Sequence, residues 1–165
     1  MKTPTQILTE EHKNILRLIE NLTKEINLLS SGKQLNNSFF EKAIEFIQNY
    51  ADKFHHAKEE DILFEELNKV SADLHCNPIE QMLYEHELGR KYIKNLKKAV
   101  AEKDTKSIIE NTRNYTQLLQ EHIFKEDNIL YPMADSVLTE ETQETILKRF
   151  KQTEQENIKE MEILK

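Results

Sequence analysis

Two segments of the chain repeat a histidine and a glutamate four residues apart. His55 and Glu59 form one pair, His122 and Glu126 form the other, and the segments around them, 55–64 and 122–131, align without a gap. In a helix this spacing places an imidazole and a carboxylate on one face, one turn apart. Both side chains of a pair can then reach the same interior point, as the ligands of a metal ion must.

Two further histidines, His12 and His86, interrupt the apolar stripes of two other helical segments. Buried imidazoles and carboxylates are costly unless they are paired or bind metal. A single histidine on such a stripe is usually a core residue with a hydrogen-bond partner, but four on four separate stripes indicate a shared site. With the glutamates they supply four nitrogens and at least two oxygens, and the candidate ligands are His12, His55, Glu59, His86, His122 and Glu126.

The number and type of these ligands constrain the metal. Six mixed nitrogen and oxygen ligands are more than a closed tetrahedral zinc site accepts. Carboxylates that can bridge, with imidazoles on either side, suit two first-row ions such as iron or manganese. A ferritin-like di-iron site needs Glu-x-x-His on two helices. No glutamate stands three residues before a histidine, and only Asp52 before His55 comes close.

Helix start signals mark the elements that must position these residues. Capping boxes and a proline in the first turn are typical of helix N-termini, and the sequence offers Thr3-Pro4-Thr5-Gln6, Ser38-Phe39-Phe40-Glu41 and Asn77-Pro78-Ile79-Glu80, with Asp104 and Thr139 as single caps. These signals predict helices at about 4–30, 38–70, 78–102 and 105–131, and a fifth towards the C-terminus. Pro132 lacks a backbone donor and should end or kink the fourth helix.

Apolar residues within these segments recur at alternating steps of three and four, which is typical of inward-facing helix stripes. Short connections make consecutive helices antiparallel neighbours. We therefore predict an all-α fold, an up-down-up-down four-helix bundle with an additional C-terminal helix. The bundle should occupy residues 1–137, and residues 138–165 should form a helical extension of the same domain.

Composition excludes most other classes of function. The 165 residues include two glycines, too few for a phosphate-cradling loop or a dinucleotide fingerprint, and one cysteine, which excludes a disulfide framework and an iron–sulfur cluster. A net charge of −7 without a basic block argues against a nucleic-acid partner. No stretch resembles a membrane span or an apolar leader. The sequence thus predicts a soluble, cytosolic, helix-rich protein with no membrane partner.

Four motifs follow one another in the order H…HxxxE…H…HxxxE: His12 in Glu-Glu-His-Lys, His55-x-x-x-Glu59-Glu60-x-x-Leu63-Phe64, Glu85-His86-Glu87-Leu88-Gly89-Arg90, and His122-x-x-x-Glu126 with Leu130-Tyr131-Pro132. Over residues 5 to about 135 this set resembles the hemerythrin-like, HHE cation-binding family. The resemblance implies a non-haem centre of two iron ions inside the bundle, with the histidines as terminal ligands and Glu59 and Glu126 as carboxylate bridges. Such centres bind dioxygen, or handle nitric oxide, peroxide or iron.

One position departs from the oxygen-carrying hemerythrins. Those proteins have a second histidine one turn after the third-helix ligand, where this chain has Arg90, and an aspartate at the place of Asp127, which is a weaker candidate here than Glu126. With fewer imidazoles one iron should be more open, which suits redox chemistry or sensing better than reversible oxygen carriage. Arg90 itself is expected to pair with a carboxylate near the site or to lie on the bundle surface.

Other polar residues stand beside the ligands. His56 and Glu60 repeat the four-residue spacing, rotated by about 100° around the helix, so His56 is interpreted as an extra ligand, as a neighbour of the ligands or as a surface residue. Glu60 and Asp127 are expected to be solvated or to hydrogen-bond to ligand imidazoles. For Glu11 and Glu85, each directly before a ligand histidine, solvation is the preferred interpretation. The pair His75-Cys76 has no partners nearby and is interpreted as incidental.

The first hypothesis is a di-iron protein that binds or reacts with dioxygen or related small oxidants such as peroxide or nitric oxide. The second is an iron-sensing or oxygen-sensing module, or one that binds a partner, without turnover. In it, metal or oxygen occupancy would expose the C-terminal helix. A metal-free bundle would require the four stripe histidines to coincide by accident. Whether the protein is an enzyme, and its oligomeric state, stay open.

Overall fold

The computed structural model describes residues 2–70 and 77–163, with side chains as far as Gln155, so His75 and Cys76 lie outside it. Within that part of the chain every regular element is helical, which confirms the all-α prediction. In the π-helical segments the backbone hydrogen bonds reach one residue further than in an α-helix. The elements are α1 (Pro4–Ser30), α2 (Asn37–Phe46), π1 (Ile47–His56), π2 (Glu59–Leu63), α3 (Phe64–Lys69), α4 (Ile79–Glu102), α5 (Thr105–Lys125), π3 (Glu126–Leu130), α6 (Tyr131–Val137) and α7 (Glu140–Ile163).

Three helix starts have the caps that the sequence predicts. Thr3 forms a full capping box with Gln6, whose side chain accepts a hydrogen bond from the Thr3 N–H at 3.0 Å. The side chains of Asp104 and Thr139 each accept from the backbone N–H three residues further on, at 3.1 and 3.2 Å. The predicted starts of α1, α5 and α7 are therefore confirmed.

Two predicted capping boxes are wrong. Asn36, and not Ser38, caps α2, because the Asn36 side chain accepts from the Phe39 N–H at 3.1 Å. Asparagine caps helices as well as serine does, and here it stands earlier in the chain. Before α4, the side chain of Asn77 accepts from the Ile79 N–H at 3.1 Å, two residues on, so the contact is a turn and no box forms.

Residues 37–69 and 105–137 each form one continuous helical run, in which π-helical turns interrupt the α-helix. The second run continues past Pro132 to Val137, so of the two predicted outcomes, an end or a kink at this proline, the end is wrong. Pro132 is the second residue of α6, one residue after π3, in whose turns the regular α-helical hydrogen-bond ladder is already interrupted. The N–H that proline lacks is therefore lost where it costs least.

The hydrophobic core consists of two clusters. The larger is built from α1, α2, π1, α4 and α5, and the smaller from α1, π2, α3, α4, π3, α6 and α7. Along α1 the smaller cluster comes first, with Leu8, and the larger follows from Ile15 onwards. α4 has the same order, whereas the runs 37–69 and 105–137 cross the clusters in the opposite order. Each of these four helical elements therefore crosses the same layer of the bundle, which lies between the two clusters.

The C-terminal helix covers the smaller cluster. Ile146 and Phe150 of α7 are 0 % and 1 % exposed there. Arg149 of the same helix pairs with Glu65 at 2.7 Å and Glu66 at 3.2 Å. Among the helices described, none combines the length and the apolar composition that crossing a membrane requires.

Candidate metal centre

A layer of buried histidines and glutamates lies between the two apolar clusters. His12 belongs to α1, His86 to α4 and His122 to α5, while the two glutamates are the first residues of π2 and π3. All six candidate ligands from the sequence are brought together in this layer, and His56 at the end of π1 joins them. Each is 6 % exposed or less: His12, His55, His56, Glu59, His86, His122 and Glu126.

These side chains form two groups that could each hold one cation. In each group the potential ligand atoms lie within 4.8 Å of one another. One group combines His12 and His55 with both glutamates, and the other combines His56, His86 and His122 with Glu59. Glu59 is common to both groups.

The carboxylate of Glu126 spans the two groups as well. Its Oε2 lies 3.2 Å from Nε2 of His12, and its Oε1 lies 3.0 Å from Nε2 of His122 and 3.8 Å from Nε2 of His86. The two oxygens of one carboxylate thus face different groups, which is the position a bridging ligand requires.

Glu59 faces the same space from the other HxxxE motif. Its Oε2 lies 3.7 Å from Nε2 of His55 and 3.5 Å from Nε2 of His86. Its Oε1 accepts a hydrogen bond from the buried Tyr131 hydroxyl at 2.5 Å. Tyr131 also lies 3.4 Å from Nε2 of His12. Sequence reasoning gave no role at the site to Tyr131, although it belongs to the second repeat.

Carboxylates fix the rings of four histidines from behind. A carboxylate only accepts, so each Nδ1 is the donor and each Nε2 points inward. The Nδ1 to carboxylate distances are 2.9 Å for His55 to Glu11, 2.6 Å for His86 to Glu60, 2.8 Å for His122 to Glu85 and 2.9 Å for His12 to Asp127.

Of the two interpretations of Glu60 and Asp127, the hydrogen bond to candidate ligand imidazoles is the one observed, whereas the preferred solvated interpretation of Glu11 and Glu85 is wrong. Glu11 and Glu85 are 8 % and 5 % exposed. Each is adjacent in sequence to one histidine and holds a different one, on the next helix. The available signal was the acidic residue directly before His12 and before His86, because neighbouring positions on a helix can face the neighbouring helix.

The negative charge of Glu126 favours the protonated, positively charged form of the two imidazoles nearest to it. Burial by itself lowers the pKa of an imidazole, but the hydrogen bond to Asp127 and the nearby Glu126 carboxylate raise the pKa of His12 to about 9. The Glu126 charge likewise outweighs burial at His122 and raises its pKa to about 10. Positive charge is thus stabilised at the inner face of both rings.

Three other groups of the layer, His55, His56 and Glu59, are shifted towards their neutral forms instead. Burial, helped by the charge of neighbouring imidazoles, holds the pKa of His55 well below its ordinary value and lowers that of His56 to about 4. Burial and the neighbouring Glu126 carboxylate raise the pKa of Glu59. His55 and His56 therefore present neutral lone pairs, the form in which imidazole binds metal.

Unpartnered polar atoms test whether a metal ion fits this layer. Both oxygens of Glu126, Oε2 of Glu59 and Nδ1 of His56 are buried without a hydrogen-bond partner among the described residues. Buried polar atoms normally have partners, and removing them from water without one costs about 1–3 kcal/mol each. The Nε2 atoms of His12 and His122 lie close to the two Glu126 oxygens, but not in the direction that a hydrogen bond requires. These atoms point into one shared space, and the two oxygens stay without a partner. A cation in that space would satisfy them.

Arg90 occupies a cluster of carboxylates one turn beyond His86. Its guanidinium pairs with Asp52 at 2.7 Å, Glu60 at 2.8 Å and Glu87 at 2.5 Å, and its side chain is 32 % exposed. The predicted pairing with a carboxylate near the site is therefore confirmed. Through Glu60, Arg90 also contacts the carboxylate that orients His86.

His56 lies on the Arg90 side of the layer. Its ring stacks on that of His86, with centroids 3.8 Å apart. Beside the two rings a cavity opens, with Asp52 and Arg90 in its lining. The other walls of this cavity are mostly apolar and include Ile47, Ala51, Gly89, Ile93, Tyr115 and Leu119.

Comparison with known proteins agrees with this chemistry. A family model described as hemerythrin HHE cation binding domain matches residues 3–134. That span contains every residue of the polar layer and ends before α7. The chain matches no curated protein and no solved structure.

Proposed function

The chain belongs to the hemerythrin HHE cation-binding family, and we propose that its polar layer holds two iron ions that bind or react with dioxygen, peroxide or nitric oxide. His12 and His55 would hold one ion, and the histidines of the other group would hold the second. Glu59 and Glu126 would be shared between them. The alternating order in which successive helices cross the two core clusters supports an up-down-up-down bundle around this centre.

The position of Glu126 carries the proposal. One carboxylate oxygen faces His12 and the other faces His122, and neither has a hydrogen-bond partner in the part of the chain that the structure describes. A single structural zinc ion would need a compact set of four ligands. Here, two groups of four residues share a carboxylate, and their donors are imidazole and carboxylate without thiolate. This donor set suits iron or manganese, and the family resemblance favours iron.

His56 extends the ligand set that the sequence predicts. It replaces, from the adjacent helix, the imidazole that is missing at Arg90. Its burial, its stacking on the ring of His86 and its place in the second group support this assignment. The second ion would then have three imidazoles and the carboxylates as ligands.

The cavity beside His56 and His86 supports a small, uncharged ligand. Its apolar walls favour dioxygen or nitric oxide over a hydrated anion. At its edge the charge of Arg90 is balanced by Asp52, Glu60 and Glu87, which disfavours anions further.

Iron bound in this layer would supply reversible redox chemistry and a coordination position for the small ligand. The chain's own groups set the conditions for that chemistry. The carboxylates at Nδ1 orient the imidazoles and increase their basicity. Tyr131 holds one oxygen of Glu59 through a hydrogen bond at 2.5 Å and leaves the other directed into the layer. The two apolar clusters exclude bulk water from both sides.

Metal analysis and absorption spectroscopy test the proposal. Protein loaded anaerobically with ferrous iron should bind about two ions per chain, as the two ligand groups require. Exposure to air should produce near-ultraviolet absorption that bleaches on reduction and returns with oxygen. Turnover of peroxide or nitric oxide would indicate an enzyme, whereas a reversible spectral change without turnover would favour a sensor.

The variant Glu126→Gln removes the charge of the shared carboxylate and should abolish binding of both ions. Glu121→Gln is the matched control, because Glu121 is exposed on the same helical run. Two irons retained in Glu126→Gln would contradict the assignment of Glu126. No iron in the wild-type chain after anaerobic reconstitution would contradict the function as a whole.

A further inference from the structure

Lys58 is a completely buried cation between the polar layer and α7. Its side chain is 0 % exposed, and its Nζ donates to Glu11 at 2.5 Å and to Glu154 at 2.8 Å. The ring of Phe54 lies 3.8 Å from the same Nζ. A charge this deeply buried is tolerated only when it is paired. Glu154 is thus one of two carboxylates that keep Lys58 in place.

Glu11 continues the series of contacts to the metal layer. One oxygen of Glu11 accepts from Lys58, and the other accepts from Nδ1 of His55 at 2.9 Å. Glu154, Lys58, Glu11 and His55 therefore form an unbroken chain of charged and hydrogen-bonded groups. The chain begins on α7, where Glu154 is 39 % exposed, and ends at an imidazole of the first ligand group.

The second HxxxE motif has a corresponding lysine and carboxylate, but this lysine has no ion pair with α7 among the described residues. Lys125 is the counterpart of Lys58 in the repeat, and it donates to Glu85, which holds Nδ1 of His122. Lys125 is 34 % exposed, and its only ion pair among the described residues is with Glu85. The two halves of the centre therefore differ in one respect. Among the described side chains, only the His55 half is connected to α7, a helix that begins at Glu140, beyond the family match.

We propose that Glu154 is a positioning residue for the His55 half of the metal centre, through which α7 controls how firmly that half retains its ion. With Glu154 present, Lys58 divides its interaction between two carboxylates. Without the Glu154 charge, Lys58 draws more strongly on Glu11, which becomes a weaker acceptor for His55. A weaker acceptor leaves the imidazole less basic and less firmly oriented. This inference rests on the metal binding proposed above, and it requires no particular small ligand.

Release of iron from the full chain tests the inference. Protein loaded with ferrous iron without oxygen is mixed with a chromogenic chelator, and the release of each ion is followed. Glu154→Gln should accelerate the release of one ion by about tenfold, at the lower end of the effect of outer ligand partners, and leave the other ion unchanged. Glu154→Asp should restore slow release. Arg149→Gln is the matched control, because Arg149 also anchors α7 but pairs with Glu65 and Glu66.

Hydrogen exchange in α7 provides a second readout. If docking of α7 favours metal binding, metal binding must favour docking by the same factor. Iron should therefore slow amide exchange in α7 of the wild type, and much less so in Glu154→Gln. Equal release from the wild type and Glu154→Gln would overturn the inference, as would equal acceleration of both ions in Glu154→Gln and Arg149→Gln. A wild-type chain that binds no iron would overturn the proposed function, and this inference with it.

Discussion

Glu85 directly precedes His86 on α4, yet its carboxylate accepts a hydrogen bond from Nδ1 of His122 on α5, at 2.8 Å. A carboxylate on one element that accepts from a histidine on the next recurs around the bundle until the series closes on α1. Each helical run thus supplies both a candidate ligand and the carboxylate that orients the candidate ligand of the next run. The four pairs are Glu11 with His55, Glu60 with His86, Glu85 with His122 and Asp127 with His12.

The substitution Glu85→Ala should weaken iron binding without removing a ligand. His122 would lose the acceptor for its Nδ1 proton, so its ring would be less firmly oriented and a weaker donor to metal. Loss of such a partner lowers metal affinity by about 10–100-fold. Competition with a chelator of known affinity measures the change. Glu80→Ala on the exposed face of α4 is the control, and equal affinities for the two variants would contradict the role of Glu85.

Iron binding should strengthen as the pH rises. In the metal-free protein, carboxylates raise the pKa of His12 to about 9 and that of His122 to about 10, against the effect of burial. Both rings therefore hold an extra proton at neutral pH, and a cation at Nε2 must displace it. Two displaced protons correspond to an affinity that rises by up to about 100-fold per pH unit below the lower pKa.

Titration of the metal-free protein with ferrous iron in weakly buffered solution measures these protons directly. Proton release should be largest near neutral pH and should decline above the raised pKa values of the two rings. An affinity that does not change between about pH 6 and about pH 8 would show that the rings are already neutral.

Tyr131→Phe should destabilise the metal-free protein but leave the iron content unchanged. The substitution removes a buried hydrogen bond of 2.5 Å to Glu59 and leaves that oxygen without a donor. Loss of a hydrogen bond to a carboxyl group should lower the free energy of unfolding by about 1.5–3 kcal/mol. Denaturant unfolding of metal-free protein measures this value. Tyr84→Phe, at a side chain 62 % exposed, should have no effect.

Gly89 offers a test of the cavity beside His56 and His86. A Cβ at this position would lie 3.6 Å from the ring of Tyr115, an ordinary contact, so Gly89→Ala should fit and stabilise α4 by about 1 kcal/mol. Gly89→Leu would fill the cavity. It should slow the reaction of the reduced protein with dioxygen in stopped-flow measurements while two irons stay bound. Equal oxidation rates for the alanine and leucine variants would place the path of the ligand elsewhere.

The two pairs of candidate ligands could be predicted to share a helix face because their signal is local. His55 with Glu59 and His122 with Glu126 lie one turn apart on single helices, and the helical period alone shows that they share a face. The same holds for the caps at Thr3, Asp104 and Thr139, where donor and acceptor are three residues apart. Asn36 was missed because it competes with an equally good cap nearby.

The contacts between helices were not accessible in the same way. The partners of Glu11 and Glu85 depend on the register of one helix against the next. The apolar period within a single helix carries no information about that register. His56 lies at the end of π1, where a wider turn changes the direction in which successive side chains leave the axis. A regular α-helix would have placed it further from the face of His55. The contact of Lys58 with Glu154 depends on the position at which α7 packs against the bundle. The sequence of α7, with its many charges of both signs, does not determine that position.

The polar layer also bears on the cooperativity of unfolding. It separates two apolar clusters that lie on the same set of helices. Hydrogen bonds between carboxylates and imidazoles join these helices across the layer. If the layer holds iron as proposed, ligands from α1, α4 and both long helical runs would add a further connection, and the unfolding of the two clusters should become more strongly coupled.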